Sequence, residues 1–411
     1  MNMSSLPASS RRFDLDWIRI IAFALLIFYH IGMYYVTWDW HVKSPRASEL
    51  IEPLMQLTSP WRLALLFLVS GAATSFMMDK INAGKLARSR SWRLLIPLLF
   101  GMMVIVPPQP YYEVVEKIQY ADGYIAFLAR YFAADHSFCR GKDCLILPTW
   151  NHLWFVAYLW AYTMLLAIFL GVSSRSMARV TASLERFLLN GTGWGIIIWP
   201  LLILAVCRLF LVSIFPSTHN LTYDWYNHSA YFFMFLFGFM FIRSEAIMAV
   251  IVQRRWLSFT LAAASYAFIL FYSSHYSDAV PATDAMRYFQ RIVRAVDQWC
   301  SILAILGFGR LWLNHDGAAR RYLTDAIFPF YIVHQTAIVV YAHNLQPLKL
   351  PVEIEALVLI AATTATCFLS YEVVRRIRFL RPLFGLKYSN DLRQSRSVAI
   401  QKVDANSNSC T

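Results

Sequence analysis

Long apolar stretches recur along this 411-residue chain, and short polar or turn-rich segments separate them. Each stretch is close to the length that a helix needs to cross a bilayer. The predicted spans are residues 17–36, 60–78, 94–110, 150–171, 193–215, 228–242, 256–274, 295–313, 323–343 and 354–374. The pattern therefore predicts an all-α fold, a polytopic membrane bundle of about ten transmembrane helices.

Composition supports this class and indicates a single bundle. Hydrophobic residues make up 58% of the chain and charged residues 15%, whereas soluble domains are nearer half apolar and a quarter charged. The first span follows basic residues without a small-residue cleavage site, so we interpret it as retained. We expect a cytoplasmic segment at 1–16, the membrane bundle at 17–385 and a disordered cytoplasmic tail at 386–411.

A net charge of +13 is compatible with a nucleic acid partner, but its distribution favours a membrane. Basic residues concentrate in alternate short loops and in the C-terminal tail, as the positive-inside rule predicts. Contact with anionic lipid headgroups accounts for them. We therefore predict that both termini are cytoplasmic, and we expect no nucleic acid partner.

The first span carries two polar groups that hydrocarbon tolerates poorly, Arg19 near its start and His30 deep inside. They are eleven residues apart, which places them on one helix face about 16 Å apart along the axis. Arg19 alone is equally well explained as a snorkelling boundary residue. The shared face favours a functional pair, with a cation near one membrane surface and an imidazole inside the bilayer.

Two further sites carry groups suited to chemistry. Arg90 and Arg93 precede the third span at a spacing that points both guanidiniums one way on a helix, an arrangement that suits phosphate. When the pair is taken alone, ordinary positive-inside charge is the favoured explanation. His334, in the ninth span, is predicted to lie at a depth similar to His30, and two imidazoles suit acid–base chemistry. No carboxylate lies near either histidine in its span, so we do not propose a metal site.

Aromatic and polar side chains also alternate near the predicted outer ends of several spans, where they could bind a sugar. The interfacial aromatic belt is the competing interpretation of each tryptophan. Arg208 differs, because it falls in the outer half of an otherwise apolar span and should face inward. The candidate substrate-binding residues are Trp40, His41, Arg62, His152, Trp154 and Arg208.

Several of these strings together resemble the membrane acyltransferase 3 family. The resemblance rests on Arg19-x10-His30, on Arg90-x-x-Arg93, on FLVSG ending at Gly71 and on FYIVHQ around His334, and it covers about residues 12 to 385. The runs WDWHVKS, NHLWF and LTDAIFPFYIVHQ most resemble a subgroup taken to succinylate osmoregulated periplasmic glucans. No hydrolase-like extra domain is visible in the sequence.

The resemblance implies an integral O-acyltransferase of the bacterial inner (cytoplasmic) membrane. Acyl-CoA, with succinyl-CoA favoured, would be a co-substrate on the cytoplasmic side, and no permanently bound cofactor is expected. The acceptor would be a periplasmic glucan or another glycan. Arg19, His30, Arg90 and Arg93 match the family's functional positions directly, and His334 matches by motif. With a succinyl donor, Arg208 or Arg62 would suit the distal carboxylate.

Other interpretations stay open from the sequence alone. One is an acetyltransferase that acts on another cell-envelope glycan, and a less favoured one is a transporter of an anionic solute. The absence of internal repeats weakens the transporter interpretation. The sequence leaves undecided the oligomeric state and whether Cys139 and Cys144 form a disulfide. Ser70, inside a span beside a glycine, is interpreted as a packing residue.

Overall fold

The computed structural model describes residues 12–141, 143–277 and 279–387. The described residues are 76% helical with almost no strand, so the predicted all-α class is confirmed. Most of the predicted N-terminal segment and almost all of the predicted C-terminal tail lie outside the described residues. The predicted orientation of the termini stays a prediction.

Fifteen α-helices follow one another through the described residues. The first eight are α1 (Phe13–Tyr35), α2 (Glu52–Thr58), α3 (Arg62–Met78), α4 (Ala83–Phe100), α5 (Pro108–Ile118), α6 (Gly123–Phe132), α7 (Trp154–Leu189) and α8 (Gly195–Leu211). The others are α9 (Trp225–Phe241), α10 (Glu245–Gln253), α11 (Arg255–His275), α12 (Asp284–Trp312), α13 (Ala318–Leu345), α14 (Val352–Arg376) and α15 (Leu380–Leu383).

The ten predicted spans all correspond to helices, though not all to straight ones. Among the described residues, seven helical segments are long and apolar enough to cross a membrane, and counting two bent pairs raises the number to nine. In one pair, the helical segment that starts with α4 and runs to Ile105 meets α5 at a bend of 41°. In the other pair, α9 meets α10 at a bend of 114°. The remaining predicted span, 193–215, corresponds to α8, an apolar helix of 17 residues that is shorter than the spanning segments.

Pro107, Pro108 and Pro110 account for the first bend. A π-helical turn at Gly101–Ile105 follows α4, and α5 then begins at Pro108. Proline lacks the backbone N–H that would continue the helical hydrogen-bond ladder, so a break at this place follows from the sequence. The bend leaves Gln109 fully buried at the start of α5.

The chain divides into two compact units. The first comprises 12–87 and 158–324, and its core includes the crossing of α3 with α9. Built Cβ atoms on Gly71 and Gly238 would each lie 1.9 Å from a carbonyl oxygen of the facing helix, that of Phe235 or Leu68 respectively. Only glycine permits this approach, so the glycine of the FLVSG string serves close helix packing.

The second unit comprises 88–157 and 325–387. Beyond the bend it carries a small folded region of α5, α6 and two short antiparallel strands, Cys139–Arg140 and Asp143–Cys144. Cys139 and Cys144 form a disulfide across these strands, which answers the question that the sequence left open. Tyr131 is fully buried in the apolar cluster beneath and donates a hydrogen bond to the Met102 carbonyl at 2.8 Å.

Candidate active site

The sequence-predicted site residues belong to both units. The first unit holds Arg19, His30, Trp40, His41, Arg62 and Arg208. The second holds Arg90, Arg93, His152, Trp154 and His334. Each group is described within its own unit.

Arg19 and His30 lie on one uninterrupted helix, α1, so the spacing on which their shared face depends is helical throughout. Arg19 donates through Nη2 to the backbone carbonyl of Thr324 at 3.3 Å. This contact holds the guanidinium against the N-terminal part of α13. His30 is half-buried, and its ring lies 6.1 Å from that of Tyr29, edge to face.

A buried ion-pair cluster fixes the N-terminal end of α1. The Arg320 side chain is fully buried on α13, and it pairs with Asp16 on α1 and with Asp316 at 2.7 Å. Hydrogen bonds from Arg320 hold the pKa of Asp316 below its usual value. The sequence analysis counted Arg320 only as loop charge. The signal that was missed is a pair of aspartates, Asp14 and Asp16, at the start of an apolar span.

Arg62 is buried beside the neighbour of His30. Its Cζ atom lies 3.9 Å from the centroid of the Tyr29 ring, and its Nη1 donates to Thr58 Oγ1 at 2.8 Å. The residue is only 2% exposed. The guanidinium of Arg62 is thus stacked on the residue that precedes His30 in α1.

The remaining first-unit candidates do not all lie together. Arg208 donates to the Tyr226 hydroxyl and lies 5.4 Å from the centroid of that ring, so it faces α9 and not lipid. Trp40 and His41 follow α1 in an irregular segment, with ring centroids 5.5 Å apart. Both are half-buried, which leaves part of each ring accessible.

Gln109 is the centre of a buried hydrogen-bond network in the second unit. Its Oε1 accepts from Asn151 at 3.0 Å and from Gln335 at 2.9 Å, and its Nε2 donates to Thr336 at 2.7 Å. The same amide lies 3.3 Å from Nδ1 of His152. Three segments of this unit therefore meet at one side chain: the start of α5, the turn before α7 and α13. The sequence analysis missed Gln109, whose only signal was a polar residue within a proline-rich break.

The hydrogen-bond partners of the two histidines fix different tautomers in their neutral rings. His152 Nε2 faces the carbonyls of Tyr331 and Ile332 at 3.1 and 3.2 Å, so Nε2 carries the hydrogen and Nδ1 accepts from Gln109. His334 Nδ1 faces the Tyr331 carbonyl at 2.7 Å, so the lone pair is on Nε2. His152 is thus held as a structural group, whereas His334 has its basic nitrogen on the side away from that carbonyl.

The structure corrects the expected position of His152 and Trp154. The sequence placed His152 at an open mouth beside aromatic side chains, but it is only 6% exposed and Trp154 only 7%. Both ring nitrogens of His152 are engaged within the protein. Burial of this degree removes the accessible face that stacking on a sugar requires.

Arg90 and Arg93 lie on α4 at helical positions, because that helix begins at Ala83. Arg93 donates weakly to the carbonyl of Gly385 at 3.5 Å and attracts the carboxylate of Asp325. Gly385 has a φ of +70°, and a Cβ there would meet the Phe328 ring at 2.5 Å. The turn after α15 is therefore held against α4 and α13 beside the arginine pair.

Comparison with known proteins decides the class of this molecule. The model of a family described as an acyltransferase domain matches residues 12–373. The chain belongs to this acyltransferase family. The match begins at the buried Arg12 and extends into α14, so it includes every candidate residue named above.

Curated relatives match the acyltransferase along nearly its whole length. Glucans biosynthesis protein C of Escherichia coli is 23% identical over 414 residues, which cover 96% of this chain and 100% of the relative. The protein of the same name from Salmonella schwarzengrund is 21% identical over 94% of this chain and 97% of its own length. No solved structure matches the chain. The protein is thus a multi-pass membrane acyltransferase.

Proposed function

We propose that this acyltransferase moves a succinyl group from cytoplasmic acyl-CoA to hydroxyl groups of a periplasmic glucan or a closely related glycan. The observation that carries the proposal is the end-to-end similarity to relatives named glucans biosynthesis protein C. The polar groups found inside an otherwise apolar bundle support it, because such groups are costly in a membrane and usually functional. The proposed site of action is the bacterial inner membrane.

His30 is the proposed general base. Its imidazole takes the proton of the acceptor hydroxyl while the oxygen attacks the thioester carbonyl, and collapse of the tetrahedral intermediate breaks the C–S bond. The products are an ester on the glycan and coenzyme A, whose thiolate receives a proton. A general base of this kind contributes about 10²- to 10⁴-fold to the rate. The Arg62 cation beside Tyr29 supports this role, since it favours the developing negative charge.

His334 is the proposed second histidine, which stabilises the oxyanion or returns the proton to the leaving thiolate. Its neutral tautomer, with the hydrogen on Nδ1, leaves Nε2 as the nitrogen that exchanges protons. Arg90 and Arg93 are the proposed ligands of the coenzyme's phosphates, because each guanidinium offers a fork of donors. Arg19 is proposed to add positive charge at the entry of the donor.

Glycan analysis and purified protein together test the proposal. Periplasmic glycans from a strain lacking the gene should lose a succinyl ester, as measured by mass spectrometry, and the native gene should restore it whereas His30→Ala should not. Loss of an acetyl group instead would favour an acetyltransferase, and the mass of the modified carrier would identify the acceptor. Unchanged glycans together with solute uptake into vesicles without acyl-CoA consumption would contradict an enzymatic role.

A further inference from the structure

Two helices of the first unit, α8 and α12, present charged side chains to each other inside the bundle. The helices run antiparallel, because Arg291 donates to the Leu209 carbonyl at 3.1 Å and Trp299 donates to the Ile196 carbonyl at 3.0 Å. Arg294, one turn after Arg291, therefore faces the end of α8. Besides Arg291, whose guanidinium is bound by the Leu209 carbonyl, three charged residues of this region interact with one another: Arg208, Arg294 and Asp297.

These three charges are close but not paired. The guanidiniums of Arg208 and Arg294 repel each other, and both attract the carboxylate of Asp297. Within the described part of the chain, no ion pair joins Asp297 to either arginine. Its Oδ1 accepts only from Ser301 at 3.3 Å, and its buried Oδ2 has no hydrogen-bond partner there. Arg294 likewise makes no hydrogen bond to a described residue.

Such an arrangement is unfavourable unless something else occupies it. Two cations and one anion leave a net positive charge among apolar helices, where an unbalanced charge is costly. One more negative charge would balance the set. The Nε of Arg208 is also buried without a partner among the described residues, which leaves hydrogen-bonding capacity at the same place.

We propose that Arg208 and Arg294 bind the distal carboxylate of a dicarboxylic acyl group, and that this pair selects an anionic over a neutral acyl donor. The inference rests on the proposed acyl transfer and names the residues that would decide donor choice. A carboxylate carries the single negative charge that neutralises the set, whereas a phosphate monoester would exceed it. A guanidinium can also donate two parallel hydrogen bonds to one carboxylate.

Tyr226 provides the third contact of the proposed site. Its hydroxyl oxygen accepts from Arg208, and so its own proton is available to donate to a carboxylate. Arg62 is less suitable as the carboxylate ligand, because the Tyr29 ring and Thr58 already occupy its guanidinium.

Donor preference tests the proposal. Purified protein would be supplied with succinyl-CoA or with butyryl-CoA, which has the same chain length but no distal charge, and kcat/KM would be measured for each. Arg294→Gln should lower the ratio of the succinyl to the butyryl value by about 10- to 100-fold, the size of a lost charged hydrogen bond. Tyr226→Phe should also lower this ratio of kcat/KM values, but by a smaller factor. Arg287→Gln on the exposed start of the same helix is the control and should leave the ratio unchanged.

A binding measurement separates this proposal from the acyl-transfer proposal. Succinate should raise the unfolding temperature of the purified native protein more than butyrate does, and Arg294→Gln should abolish the difference. If acyl transfer proceeds but Arg294→Gln and Tyr226→Phe leave the donor ratio unchanged, the carboxylate site is refuted and acyl transfer stands. If no acyl group is transferred yet succinate binding depends on Arg294, the proposed function fails and the carboxylate site stands. Equal effects of succinate and butyrate would refute the site.

Discussion

The imidazole rings of His152 and His334 lie edge to face, with their centroids 5.1 Å apart. Both rings are buried, and both make hydrogen bonds to backbone carbonyls of α13. They differ in the nitrogen that faces a backbone carbonyl, Nε2 in His152 and Nδ1 in His334, and His152 Nδ1 also accepts from Gln109. His152 and His334 are thus expected to have different roles, although their rings lie beside each other.

Substituting these two histidines should separate stability from activity. His152→Ala leaves the Gln109 amide short of an acceptor and should lower stability by about 1–3 kcal/mol, the cost of an unsatisfied buried group. His334→Ala should lower kcat by about 10²-fold or more if it is an acid–base group, with a smaller effect on unfolding. Thermal unfolding in detergent and steady-state kinetics measure the two effects. A stable but inactive His152→Ala together with an active His334→Ala would reverse the assignment.

The crossing of α3 and α9 predicts a strict requirement for glycine. Gly71→Ala places a methyl group 1.9 Å from the Phe235 carbonyl oxygen, so the helices must separate, at a cost of about 2–3 kcal/mol. Gly171→Ala is the matched control, because a Cβ on that helical glycine has nothing within 4 Å. It should be neutral or slightly stabilising. Equal unfolding temperatures for the two variants would show that the crossing is looser than described.

The buried Arg320 should stabilise the N-terminal end of α1 more than its exposed neighbour does. Arg320→Leu removes the ion pair with Asp16 and one of the two ion pairs of Asp316, and we expect a clear fall in unfolding temperature. Arg321→Leu removes only a largely exposed ion pair with Asp316, and such pairs contribute about 0–1 kcal/mol. Unfolding curves of both variants at one salt concentration test this. A larger effect from Arg321→Leu would contradict it.

The arginine pair on α4 should set the affinity for acyl-CoA. Arg90→Ala and Arg93→Ala should each raise KM for acyl-CoA by about 10-fold, because each removes a charged hydrogen-bond donor to phosphate. Arg88→Ala on the same helix is the control, since Arg88 is exposed and two residues away from Arg90. Kinetics at varied acyl-CoA and saturating acceptor provide the measurement. An equal change in KM for all three variants would indicate a general loss of positive charge.

The helical class and the ten apolar spans followed from hydropathy, because the bilayer demands long apolar helices whatever their partners. The break after α4 and the steep bend between α9 and α10 were not predicted as interruptions. Proline explains the break after α4 once the structure is known. At the bend between α9 and α10, the Ser244 side chain accepts a hydrogen bond from the Ile247 N–H and so caps the start of a new helix. Hydropathy does not register this local capping signal.

The positions of the candidate site residues could be predicted where one helix carries them but not where distant segments meet, and their roles stay predictions. Arg19 and His30 share α1, so their spacing sufficed. Gln109 and Arg320 depend on partners more than two hundred residues away in sequence, and neither is distinguishable from ordinary polar residues beforehand. His152 was predicted as a candidate substrate-binding residue, but its burial depends on α13, which its own segment does not reveal.

The central claim is acyl transfer to a glycan with His30 as the base. Its most direct test supplies purified protein with succinyl-CoA and periplasmic glucan and follows release of the coenzyme A thiol. We predict that release requires the acceptor and falls by about 10²- to 10⁴-fold in His30→Ala, while the variant keeps the native unfolding temperature. Thiol release that is independent of the glucan, or a folded His30→Ala protein with native turnover, would contradict the account.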